Sequence, residues 1–258
     1  MSEITRLATI EATTELLAAL DRLSYPEKID MAPVLDLLLK DQSVPASSSL
    51  SNHGGFPGGL IVHTHRVWKM ADAMAQGAHQ ALMRSLGMPS PLVGDPAHLE
   101  MQISSLDAAS IFRVAVIHDL NKVRDFQGNP YYVPNILKGG KISEAKPWVI
   151  NKEAGALPSL LRSIESKMGA LLPTDAVTVA ESWWSMMLNT GGIQIRDGAI
   201  SLALAKQVSP TLELSADEIS AVLFHDGAYA GRSGLQDNES ALQIVLHAAD
   251  MIASRLLC

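Results

Sequence analysis

Apolar residues recur at intervals of three and four along most of the chain, the spacing of helices that each bury one face. Ile4, Leu7, Ile10, Leu16, Leu17 and Leu20 carry the first such stripe, which ends before Pro26. A second short helix fits Asp30 to Lys40, and DQSVPASSSLSNHGGFPGG (41–59) reads as an irregular loop rich in Ser, Gly and Pro. A helix from Leu60 to about Leu86 follows, then a loop through GMPSPLVGDP. The run SLDAASIFRVAVIHDL is helical and so apolar that it belongs at the centre of the molecule. From Asn121 to Asn151 the periodicity fails. There FQGNPYYVPN and KPWVIN set β-branched and aromatic residues between turn formers, the pattern of a small hairpin. Helical spacing resumes over 155–171, 174–188, 198–207, 215–226 and 238–257. The expectation is a mainly α fold, a single domain over 1–258, with a short irregular or β-hairpin excursion near 122–151.

Composition narrows the class. Of 258 residues 47% are apolar and 18% charged, enough to bury a sizeable core and unlike a disordered chain. Twenty Lys+Arg against 27 Asp+Glu give a net charge of −7, which argues against a surface that coats nucleic acid. The opening MSEITRLATIEATTELL lacks the basic and apolar regions of a signal peptide, and no stretch is apolar for long enough to span a bilayer. The cytoplasm is the expected compartment. With Cys258 the only cysteine, a disulfide framework and a thiolate cluster are both ruled out. Any metal must therefore sit on His and carboxylate ligands.

Those residues occur in a pattern. His63 and His65 fall at the start of a helix reached through a Gly-rich loop; His118 and Asp119 end one apolar helix, His225 and Asp226 another. His247 and Asp250 lie three apart on one face of the last helix. Adjacent His and Asp at the end of a buried helix can project into one cavity, and their N and O donors suit Mn, Mg, Co, Zn or Fe. Taken singly, each His reads more readily as a helix-end hydrogen-bonding residue than as a ligand. Other chemistries lack support: GGFPGG has no GK[ST] after it, and neither a GxSxG elbow nor a dinucleotide-binding fingerprint is present.

Read together and in order, PGGLIVHTHRV, VAVIHDLNKV and LHAADMIASRL resemble the H…HD…D pattern of the HD superfamily of metal-dependent phosphohydrolases. The resemblance implies an HD-type helical domain with its core at about 45–125 and 195–257, and 152–190 as a helical insertion. It implies a divalent cation held by His63, His118, Asp119 and Asp250, the glycines placing His63 rather than His65 at the ligand position. PASSSLSNHGGFPGGL, LSADEISAVLFHDGAY and RDGAISLALA extend the likeness to stand-alone bacterial and phage HD proteins. From these phrases a second ion would share Asp119 and take His225 and Asp197, the latter standing where His is usual. HDLNK keeps the Lys of the family's HDxGK, with Asn121 in place of Gly.

The activity implied is hydrolysis of a phosphate ester or anhydride of a small nucleotide, a deoxynucleoside mono- or triphosphate being favoured. In that reading Asp119 and Lys122 are catalytic, and His53, in the loop before the metal helix, is the candidate acid. Lys122, Arg66, Lys146 and Trp148 bind substrate. Tyr131, Tyr132, Lys138 and Lys141 belong to the same excursion and can form a lid, or a solvated loop. Three alternatives keep the site: a phosphodiesterase or exonuclease on cyclic nucleotides or single-stranded nucleic acid, a di-iron oxygenase, and a non-catalytic nucleotide-binding protein. His247 can orient Asp250 or pack in the core. His65 is expected in outer packing, and His79 and His98 on the surface. Trp183, Trp184, Met186 and Met187 suit a core or a homo-oligomer contact.

Overall fold

The computed structural model describes residues 2–46, 54–78, 103, 106–124, 128–151, 195–225 and 240–255. Among them are seven α-helices and one two-stranded antiparallel sheet, the mainly α architecture that the periodicity predicts. His53, His79, His98, Asp226, the expected insertion 152–190 and its Trp183–Met187 cluster lie outside the described residues.

Helix α1 (Glu3–Leu20) starts at Ser2, whose hydroxyl accepts the Thr5 N–H, and buries Ala12, Leu16, Ala19 and Leu20. Helix α2 is longer than the apolar stripe suggests, running from Tyr25 to Lys40 rather than from Asp30. Ser24 and Glu27 form a capping box there, and Pro26, in the first turn where no N–H is needed, opens the helix instead of ending one.

Helix α3 (Gly59–Ala73) is buried over nearly its whole first half, from Gly59 to Thr64. Two glycines make that entry. Gly58 caps the helix at φ +81°, and a Cβ on Gly59 would sit 1.9 Å from the carbonyl oxygen of Gly54. The loop is thus pressed against the helix start, with Leu60 donating its N–H to Val44 and Ala46 donating to Gly54.

Helix α4 (Ala108–Ile117), capped by Asp107, buries Ile111, Phe112, Val114, Ala115, Val116 and Ile117 and is central, as the sequence predicts. It ends before His118, and a 3-10 turn (Leu120–Lys122) follows at once. Helices α5 (Ile195–Val208), α6 (Ala216–Leu223) and α7 (Ala241–Arg255) complete the bundle. Helix α3 packs against α7, α4 and α1, while α5 lies against α6 and the 3-10 turn. One connected apolar core draws side chains from all seven helices. A half-buried cation ties three of them: Arg113 on α4 reaches Glu218 on α6 at 2.7 Å and Glu27 on α2 at 2.6 Å. None of the described helices is long and apolar enough to cross a membrane.

The expected hairpin is present. Strand β1 (Tyr132–Pro134) pairs antiparallel with β2 (Trp148–Ile150), Tyr132 facing Ile150 and Pro134 facing Trp148. Both strands are edges, so Pro134 interrupts no central ladder. The Tyr132 hydroxyl donates to the Ala46 carbonyl at 3.3 Å, fastening the hairpin to the loop that precedes α3.

Candidate metal centre

Four side chains from three regions of the chain converge beneath α3. Nε2 of His63 lies 3.0 Å from Oδ1 of Asp250 on α7, 3.4 Å from Oδ2 of Asp119 and 3.4 Å from Nε2 of His118. Nε2 of His118 is 3.5 Å from the same Asp119 oxygen. His225, at the end of α6, brings its Nε2 to 3.7 Å from the other oxygen, Oδ1. His63, His118, Asp119 and His225 are all buried. Ligand atoms of His63, His118 and Asp119 lie within 4.8 Å of one another, a buried group that could hold a metal ion.

Local structure explains the aim of each ring. His118 and His225 both follow the last turn of a helix, and each Nδ1 lies against a carbonyl three residues back, Ala115 at 2.8 Å and Val222 at 2.7 Å. An Nδ1–H given to a carbonyl leaves the Nε2 lone pair facing inward, the tautomer a metal ligand requires. Burial lowers the His118 pKa to about 4, so the ring is neutral. Asp119 follows where the helix gives way to the 3-10 turn, which swings its carboxylate towards His63.

The electrostatics favour ionised carboxylates. Burial alone would raise the pKa of Asp119, but the Lys122 ammonium outweighs it, together with the surrounding imidazoles, and holds the carboxyl well below its usual range. Asp250 is lowered in the same way, its burial offset by the hydrogen bond and charge of His63. His63 is raised because two carboxylates flank it and together overcome the desolvation of its charged form. Lys122, bonded to Asp119 Oδ2 at 2.5 Å, is likewise raised despite burial. Two imidazoles and one carboxylate around one point, with Asp250 close to His63, make a donor set that could hold a metal ion.

The other predicted residues divide. Asp197, on α5, accepts the Tyr131 hydroxyl at 3.3 Å and is not among the three residues whose ligand atoms converge. Arg66 is half-buried and makes no hydrogen bond or ion pair among the described residues. Lys146 is exposed on the hairpin, bonded through its backbone to Ser143 and Asn135. Trp148 is half-buried in β2. His65 packs outward, 3.1 Å from Glu15 on α1. His247 does not orient Asp250: its Nδ1 binds the His225 carbonyl at 2.6 Å, and the hydroxyl of Ser254 donates to Asp250 instead.

Two contributors escaped the sequence reading. The hydroxyl of Ser201 on α5 bonds the turn that carries His118 and Asp119, and Asn121 in that turn is wholly buried. The only signal was position, since Ser201 stands in the phrase RDGAISLALA and Asn121 in HDLNK. No protein-family model, curated protein or solved structure matches the chain, so its motifs and this geometry are what any functional reading rests on.

Proposed function

We propose that this chain is an HD-type metal-dependent phosphohydrolase acting on a small nucleotide. The observation that carries the reading is the buried group of His63, His118 and Asp119, with Asp250 3.0 Å from His63 beside it, the four residues and the order that the HD resemblance implies. A divalent cation bound there would polarise a phosphoryl oxygen and acidify water. One ion is favoured over two, because the convergent group comprises His63, His118 and Asp119 while Asp197 is engaged by Tyr131.

The chain's own residues supply the rest. His118 stays neutral with its ring fixed by Ala115, so it needs no reorientation to bind. Lys122 keeps its charge and stands beside Asp119, where an ammonium can offset negative charge on a phosphoryl group. Water attacks phosphorus in line, a P–O bond breaks, and the leaving oxygen takes a proton, with His53 as the proposed donor. The net acidic charge favours a mono- or triphosphate of a deoxynucleoside over a polymer.

The test is a hydrolysis screen on protein stripped and reloaded with Mn, Mg, Co, Zn or Fe. Substrates are deoxynucleoside mono- and triphosphates, cyclic nucleotides and short single strands of DNA and RNA. Metal-dependent release of phosphate, pyrophosphate or triphosphate that disappears in Asp119→Ala supports the reading. Silence on every substrate overturns it. Retained iron would then turn attention to oxygen chemistry, and a nucleotide bound intact to a sensor.

A further inference from the structure

Ser201 is wholly buried on α5, between residues that are almost all Ala, Leu or Ile: Ala199, Ile200, Leu202, Ala203, Leu204 and Ala205. Alanine there would be the better helix former and would bury no polar group. The hydroxyl must therefore answer to something other than packing, and its partners show what. It accepts the backbone N–H of Asn121 at 3.0 Å. Its single proton is shared between the carbonyl of His118 at 3.0 Å and Oδ1 of Asn121 at 3.1 Å. One side chain, arriving from a distant part of the chain, thus clamps both ends of the turn His118–Asn121, with Asp119 held between them.

Asn121 adds an independent sign. Its side chain is buried, yet its Nδ2 has no hydrogen-bond partner among the described residues. A buried donor left open is a cost to folding, and the amide is retained all the same, with its oxygen locked onto Ser201.

We infer that Ser201 is a positioning residue for the metal-ligand turn, fixing the direction of the Asp119 carboxylate through the backbone on either side of it. This rests on the metal-centre reading above. It assigns to α5 a role at the centre distinct from any ligand: the helix that receives the hairpin at Asp197 holds the ligand turn one helical turn further on, at Ser201.

The experiment compares the full chain with Ser201→Ala, Ser201→Cys and Ser201→Thr, using Co2+ alone as probe. Affinity is read by calorimetry and ligand geometry by the visible d–d absorption, with far-UV circular dichroism recording the fold. Ser201→Ala should weaken Co2+ binding by about 10–100-fold, the loss typical when the support of a ligand is removed, and alter the spectrum. Ser201→Thr, which keeps the hydroxyl, should recover most of the affinity. Ser201→Cys keeps the packing with a poor hydrogen-bonding group and should resemble Ser201→Ala, so it carries the test should the alanine variant not fold. Wild-type affinity and spectrum in Ser201→Ala or Ser201→Cys would overturn the inference and leave the metal centre standing. Equal loss in Ser201→Thr with its helices intact would also overturn it, by showing that shape rather than the hydroxyl matters. Failure of the wild-type chain to bind Co2+ would remove the metal centre and this inference with it.

Discussion

The imidazole of His63 stands 3.0 Å from the carboxylate of Asp250, joining the first turns of α3 to the middle of α7. Asp250 keeps about a sixth of its side chain open, whereas His63 is closed off, so the pair sits at the boundary between the core and solvent. Ser254 holds the same Asp250 oxygen, at 3.2 Å, from one turn further along α7. The carboxylate is therefore oriented from its own helix before any cation arrives.

Replacing that carboxylate tests the ligand set directly. Asp250→Asn keeps the shape and the Ser254 contact but removes the negative charge. Mn2+ or Co2+ affinity, measured by calorimetry, should fall by at least the roughly 100-fold that losing even a supporting contact can cost. Affinity unchanged from wild type would remove Asp250 from the centre.

The Lys122–Asp119 pair predicts an interplay between a side chain and an added cation. Lys122→Met leaves a buried carboxylate without its ammonium, and breaking such a pair typically costs about 3–5 kcal/mol. In a chain of this size the melting temperature of the chelated protein should drop by on the order of 10 °C. A divalent cation on Asp119 would replace the missing charge, so added Mn2+ should raise the melting point of Lys122→Met more than that of wild type. An equal Mn2+ shift in both would separate Lys122 from the metal site. The same variant, loaded with metal, should turn over phosphate substrate more slowly.

Much of this architecture could be read from the chain, and the exceptions have identifiable causes. The helices α1, α4 and α7 and the break in periodicity that becomes the hairpin follow from spacing alone. The buried face of α1 does not: Leu16 and Leu20 are buried, but Ile4, Leu7, Ile10 and Leu17 are exposed, and small residues, Thr9, Ala12 and Ala19, meet the core instead. The start of α2 did not, because Ser24, Pro26 and Glu27 form a polar cap that carries no apolar stripe. At the site, His63, His118, Asp119 and Asp250 were legible because the glycines and the HD phrase mark them. Ser201 was not, since a serine within an Ala/Leu helix looks like filler until its distant partners are known. His247 stayed open for a related reason: spacing puts it one turn from Asp250, and only the structure shows its ring turned to the chain end of α6.

Acid sensitivity should arise not only at the centre, where Asp119 and Asp250 are held ionised, but also at the cap of α2. Glu27 accepts from Ser24 N–H and Oγ–H and from Arg113, and these bonds hold its carboxyl below the usual range. A carboxyl whose folded pKa is depressed stabilises the fold above its unfolded pKa and loses that contribution as pH falls through the folded value. Glu27→Gln, which keeps an oxygen for the cap but loses the charge that faces Arg113, should thus be destabilised at pH 7 by up to about 1 kcal/mol, the range of a partly exposed ion pair. The gap from wild type should narrow as the pH drops through and below the ordinary glutamate range near 4.3. A gap that stays constant down to acid pH, in denaturant titrations, would show that the charge of Glu27 is not what matters.

The glycine entry to α3 makes the last prediction, linking loop geometry to the site. In Gly59→Ala the new methyl would meet the Gly54 carbonyl oxygen at 1.9 Å, with backbone rather than a flexible side chain as the obstacle. Either the loop or the helix start must shift, and overpacking of this kind costs about 1–3 kcal/mol, occasionally more. Since His63 lies one turn along α3 from Gly59, a shift of the helix start would also displace its Nε2 from the 3.0 Å and 3.4 Å contacts with Asp250 and Asp119. Gly59→Ala should therefore lower both the melting temperature and Co2+ affinity. Gly198→Ala is the control. Its methyl would press on the Val222 carbonyl at 2.5 Å, where α5 crosses α6 and where that carbonyl holds the ring of His225, and so should lower stability and disturb His225 rather than His63. If Gly59→Ala lost stability but bound Co2+ as tightly as wild type, the loop would be supporting the fold without setting the position of His63.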